Sequence, residues 1–158
     1  MTKRVDAFSI LSVSFFLKDM DNVLFSSKTD LWSTPQDFFD KLNEEFNFTL
    51  DPCATDSNHK CGKYFTIDDD GLKQNWEGYI VFCNPPYGRK IYKWVEKCYN
   101  ESKKPNTFVV MLIPARTDTI YFHEFIYHKA KDIRFIKGRL KFGGSKNSAP
   151  FPSMVVIF

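Results

Sequence analysis

The chain has 158 residues, the length of one domain with a real core, and its 43% hydrophobic and 26% charged content excludes a disordered or fibrous class. Its net charge of +3 hides an asymmetry: residues 1–86 carry 8 Lys/Arg against 14 Asp/Glu, whereas residues 87–158 carry 14 against 5. A carboxyl half this basic fits either a solvated surface or a face that meets polyanions.

Taken in chain order, Lys3 and Arg4 precede an apolar run at residues 7–17. The order is that of a secretory signal, but no small-residue cleavage site follows, and the run is too short to span a bilayer. Residues 1–27 therefore read as an N-terminal extension, with Met20 as an alternative start, and residues 28–158 as the functional domain. Ser33-Thr34-Pro35 then reads as a helix start, with Ser33 or Thr34 as cap and Phe38, Phe39, Leu42 and Phe46 at helical spacing. Residues 46–52 (FNFTLDP) alternate and stop at Asp51-Pro52, which predicts a strand and a loop.

From Ala54 to Asn75 the chain is polar, broken only at Tyr64-Phe65. Cys53, His59 and Cys61 lie close together but lack a second ligand pair, so free thiols in a reducing cytosol are expected rather than zinc. Residues 78–83 form a continuous apolar strand, residues 90–102 a helix, and residues 107–114 (TFVVMLIP) a second buried strand. A helix over 121–129 and strands over 133–137 and 154–158 complete the pattern. Alternating strands and helices predict an α/β fold with a doubly wound, mostly parallel sheet.

Two strands end on polar-proline corners, Asp51-Pro52 and Asn84-Pro85-Pro86-Tyr87. Open α/β sheets bind ligands outside the carboxyl ends of their strands, so both corners are expected to face one crevice. A planar amino nitrogen is a poor nucleophile because its lone pair is delocalised. Two acceptors on its two N–H groups favour a tetrahedral nitrogen and free that pair. The Asn84 side-chain oxygen and the Pro85 carbonyl would supply the acceptors. Each proline fixes φ near −65° and so limits reorganisation during reaction. Tyr87 would offer a ring to stack on the planar base. A plain tight turn is the bland alternative.

NPPY after a buried strand resembles the motif of methyltransferases that act on planar nitrogens. With Leu31-Trp32-Ser33-Thr34-Pro35, Leu50-Asp51-Pro52-Cys53-Ala54, Asp69-Asp70-Gly71-Leu72, residues 114–119 and Gly138-Arg139-Leu140-Lys141-Phe142 in this order, residues 24–158 resemble the phage-type Dam-like DNA N6-adenine methyltransferases. The resemblance implies a Rossmann-like methyltransferase fold in one compact domain and S-adenosylmethionine as cofactor. It also implies a catalytic set of Asn84, Pro85, Pro86 and Tyr87. Cofactor contacts are implied at Trp32, Thr34, Pro35, Asp51, Pro52, Asp70, Leu72 and Asn84. Thr34 is then the candidate for the methionine carboxylate and Asp70 for the adenine amine, with Asp68 and Asp69 as competitors. Cys53-Ala54-Thr55-Asp56 stands where the wider superfamily has glycines, which leaves those contacts open.

DNA contacts are implied at Tyr87, Arg89, Lys90, Arg116, Arg139 and Phe142, with Lys141 and Lys146 as further phosphate candidates. Phe142 reads either as a second aromatic clamp opposite Tyr87 or as a core residue, and residues 143–147 as a mobile loop or a surface turn. The adenine would be flipped from a duplex or already unpaired. The resemblance further implies DNA as partner, a monomer or homodimer without a membrane, and the cytoplasm of a bacterial host as the location. RNA, protein glutamine or a non-catalytic nucleic-acid module remain alternatives at this point.

Overall fold

The computed structural model describes residues 32–158; the extension read at residues 1–27 and Leu31 of the first motif block lie outside them. The elements are α1 (Gln36–Phe46), β1 (Leu50–Asp51), β2 (Lys63–Tyr64), β3 (Ile80–Cys83), α2 (Ile91–Glu101), β4 (Phe108–Pro114), a π-helical turn (Phe122–Ile126), β5 (Asp132–Phe135), a 3₁₀ turn (Phe142–Gly144) and β6 (Ser153–Ile157). The strands form one six-stranded sheet in the order β2-β1-β3-β4-β6-β5. Pairs β1–β2, β1–β3 and β3–β4 are parallel, whereas β6 runs antiparallel to both β4 and β5. The sheet is thus mixed, and the architecture is consistent with the methyltransferase fold that the resemblance implied.

Helices cover both faces. Successive strand residues point to opposite sides: Phe82 packs edge-on against Phe39 of α1 at 5.1 Å, while the neighbouring Cys83 lies beside Cys98 of α2. Strand β4 is buried from Val109 to Pro114 and forms the centre of the core. On the α1 side Phe48 extends that core through Phe82. On the α2 side Trp76 stacks on Trp94 at 6.3 Å.

Several local expectations need correction. The run at residues 46–52 forms only a two-residue strand, because Asn47 takes the left-handed conformation that ends α1 (φ 55°) and turns the chain. Tyr64-Phe65 read only as a break in a polar segment, but Lys63–Tyr64 is a strand parallel to β1. The helix expected over 121–129 is a single wide turn, closed by the Tyr127 amide on the Phe122 carbonyl at 2.7 Å. Neither Ser33 nor Thr34 caps α1; the position before the helix is Pro35, with no side-chain cap bond.

Chain reversal places the site. From β1 the chain goes outward to β2, then crosses back to β3 on the other side of β1. Strands β1 and β3 share one paired position, Leu50 with Val81, so they diverge beyond it. A crevice at such a switch point is where open α/β sheets hold ligands.

Candidate active site

A solvent-open cleft lies at that divergence, lined by the strap Trp32-Ser33-Thr34, by Asp51 at the end of β1 and Cys53 beyond it, by Asn58 and Lys60, and by Asn84-Pro85-Pro86 after β3. The two polar-proline corners therefore do share one crevice. Gly71 brings the third motif block against it: a Cβ there would sit 2.0 Å from the Pro52 carbonyl oxygen, so only glycine permits the approach.

Asp51 is buried, with one carboxylate oxygen accepting from the Lys60 amide (3.0 Å) and the other from the Cys53 amide (3.3 Å). Burial raises its pKa, and the two amide bonds and the Lys60 charge only partly offset that effect. Burial, with the Asp51 charge nearby, likewise pushes the Cys53 thiol up to about 12. Cys53 is therefore a neutral wall of the cleft at ordinary pH, not a nucleophile.

Asn84 is held on both sides of its amide. Its Nδ2 donates to the Trp32 carbonyl and to Thr34 Oγ1 at 2.9 Å, and its Oδ1 accepts from the Tyr87 hydroxyl at 2.7 Å. An amide oxygen has two lone pairs, so Tyr87 leaves one for a substrate. Among the described residues no hydrogen-bond donor reaches the Pro85 carbonyl. Gly88, at φ 139°, makes the turn that releases the chain from Pro-Pro-Tyr toward α2.

The aromatic expectations are revised. Tyr87 is 7% exposed and meets Phe142 and Phe151 edge-on, at 6.1 and 5.5 Å, so it presents no open stacking face in this state. Phe142 is likewise buried and packs edge-on against Trp32, as a core residue rather than the far plate of a clamp. The segment after it is tied to the strap by the Gly143 amide on the Ser33 carbonyl (2.8 Å), which anchors what read as a mobile loop.

Asp70, Leu72, Pro35 and Pro52 do not line the cleft wall. Asp70 instead pairs with Lys73 at 3.0 Å, and Asp69 accepts from the Thr66 amide and hydroxyl. Arg89, Lys90, Arg116 and Arg139 are exposed. They leave the ends of β3, β4 and β5, the same edge of the sheet as Asn84. Residue-by-residue reading missed Lys60 and Asn58, and placed Cys53 only within a motif block, without a site role. Lys60 is the one cation among the described residues lining the cleft, and it sits in a polar loop whose pattern carries no periodic signal.

Comparison with known proteins adds the family. Residues 22–158 match the model of the family described as DNA N-6-adenine-methyltransferase (Dam). A DNA N-6-adenine-methyltransferase of Haemophilus phage HP1 is 31% identical over 140 residues, covering 84% of this chain and 80% of that protein. A DNA N-6-adenine-methyltransferase of Escherichia phage T1 is 34% identical over 97 residues, covering 60% of this chain and 40% of that protein.

Proposed function

The chain belongs to the DNA N-6-adenine-methyltransferase family and is an adenine-specific DNA methyltransferase; from that premise we propose that its methyl donor is S-adenosylmethionine, bound in the β1–β3 cleft. The donor set suits such a ligand, which is cationic at sulfur, zwitterionic at one end and partly apolar. A buried carboxylate (Asp51), one cation (Lys60) and apolar walls (Trp32, Pro85, Pro86) face the same space. Bound there, the donor supplies an electrophilic methyl group. Pro52, Asp70 and Leu72 would support this pocket from behind: Gly71, between Asp70 and Leu72, touches the Pro52 carbonyl. Pro35 would set the direction of the strap.

The protein's part in the reaction is to prepare the nucleophile. The Asn84 Oδ1 and the Pro85 carbonyl accept the two N–H groups of the adenine amine, so the nitrogen turns tetrahedral and its lone pair becomes available. As this nitrogen takes the methyl group and the methyl–sulfur bond breaks, leaving a neutral thioether, positive charge would grow on the nitrogen; two fixed dipoles stabilise it without moving, and its surplus proton would then pass to solvent. Pro86 holds the corner rigid. A base stacked in a duplex cannot reach this wall, so the target adenine is extruded or already unpaired. Tyr87 turns from its enclosed position to stack on it. Arg89, Lys90, Arg116 and Arg139 hold phosphates around the cleft, with Phe142 supporting Tyr87 from the core. The phage relatives suggest action in the cytoplasm of a host bacterium.

The observation that carries this reading is the acceptor pair Asn84–Pro85 on the wall of a cleft at the sheet's switch point. Asn84→Ala is expected to abolish methyl transfer while donor affinity, read by calorimetry, changes only a few-fold. Incubation with labelled donor and DNA, RNA or protein, followed by digestion, should place the label on adenine N6 of DNA. Near-normal turnover by Asn84→Ala, or label elsewhere, refutes the proposal.

A further inference from the structure

We infer that Thr34 is a positioning residue for methyl transfer: together with the acceptor-only Trp32 carbonyl, its hydroxyl holds the Asn84 amide in the orientation that turns an acceptor toward the substrate. The inference rests on the acceptor role proposed for Asn84. A terminal amide can rotate by half a turn about its last bond, which exchanges oxygen and nitrogen. In one orientation Asn84 offers a lone pair to the substrate amine; in the other it sets N–H against N–H. The choice is therefore all or nothing for catalysis, although the two shapes are nearly identical.

The Trp32 carbonyl makes the choice, because it can only accept, and it takes a hydrogen from Nδ2. Thr34 Oγ1 accepts the other Nδ2 hydrogen at 2.9 Å and so holds the amide in that orientation. The Tyr87 hydroxyl donates to Oδ1 at 2.7 Å, but it also reaches the Leu112 carbonyl at 3.2 Å, and a hydroxyl with a second acceptor in reach fits either orientation. The hold on Nδ2 therefore rests on Trp32 and Thr34, and of these only Thr34 acts through a side chain.

Two further observations separate Thr34 from an ordinary helix cap. It stands two residues ahead of α1, outside the capping position, which Pro35 holds, and α1 has no side-chain cap bond. The side chain is instead directed across to the end of β3 and is 5% exposed. The strap that carries it also lines the donor cleft and is fastened at Ser33 by the Gly143 amide (2.8 Å). Thr34 thus reaches Asn84 from a fixed base, and a hydroxyl is needed because a methyl group cannot accept a hydrogen bond.

The test uses the full chain with Thr34→Val, which keeps shape and removes the hydroxyl, and Thr34→Ser, which keeps the hydroxyl. Thr34→Val is expected to lower kcat, read at saturating donor, about ten-fold, the loss of one oriented hydrogen bond. Thr34→Ser should restore kcat. The Asn84 side-chain amide signals in a ¹⁵N–¹H spectrum should shift in Thr34→Val and return in Thr34→Ser. Weakened binding of S-adenosylhomocysteine with kcat preserved at saturation would make Thr34 a donor contact and overturn the inference. So would an unchanged kcat, or a Thr34→Ser variant as slow as Thr34→Val. These failures are distinct from failure of the underlying mechanism, which is read from Asn84→Ala alone.

Discussion

The Asp51 carboxylate accepts two backbone amides, yet burial outweighs them and its pKa lies above the ordinary 3.8. A raised value means that the folded state resists ionisation of this group. Its contribution to stability is complete below the unfolded-state pKa and is lost as pH rises through the folded-state value. The stability of wild type relative to Asp51→Asn should therefore decline as pH climbs from about 4 toward neutrality. Denaturant unfolding across that range reads the difference, and parallel curves would show that Asp51 titrates normally. Gly71 is the second residue whose identity is forced. With Pro52 backbone at 2.0 Å and the Trp94 ring at 3.1 Å from a modest added carbon, Gly71→Ala should cost about 1–3 kcal/mol and weaken donor binding together. Its role was invisible in the sequence, since the atom it avoids lies in a strand-end corner nineteen positions earlier in the chain, roughly the span of a long loop. Asn84 was legible because prolines after a buried strand are chemically odd; the bonds that orient it were not, because Trp32 and Thr34 are remote in sequence.

Elements with a strong apolar period were read correctly from the chain: α1, α2, β3 and β4 differ from expectation only at their ends. Elements decided by distant partners were not. Strand β2 exists because Lys63 and Tyr64 pair with Leu50 and Asp51, and nothing in its two residues announces that. The π-helical turn replaces a helix because Tyr127 closes on Phe122 and then leaves in an extended conformation. One link between elements has a measurable weight. Glu101, at the end of α2, is 3% exposed and accepts from the Trp76 amide at 2.9 Å and from the Lys97 and Lys104 ammonium groups at 2.7 and 2.8 Å. Burial alone would raise its pKa, but these three bonds prevail and hold it below the usual value. Glu101→Ala leaves a buried amide unpaired and two cations without their partner, at an expected cost of about 2–4 kcal/mol. Thermal unfolding measures it; a loss below about 0.5 kcal/mol, the level of an ordinary surface change, would mean that water replaces the carboxylate.

At the scale of the molecule, the charge asymmetry of the sequence becomes a location. Arg89, Lys90, Arg116, Arg139, Lys141 and Lys146 all follow strand ends on the cleft side or lie in the β5–β6 connection that returns there. Oligonucleotide affinity should fall steeply with salt, and Arg116→Ala or Arg139→Ala should each reduce the logarithmic slope by about one. A slope unchanged by either variant would put the phosphates elsewhere. The interposition of β6 between β4 and β5 has a consequence for assembly. Strand β5 is synthesised first but has no neighbour until the later strand has docked on β4, so it must wait as an orphaned edge. In pulse-labelling of a refolding sample, amides of residues 132–135 should gain protection no sooner than those of residues 153–157, while β3 and β4 zip together beforehand.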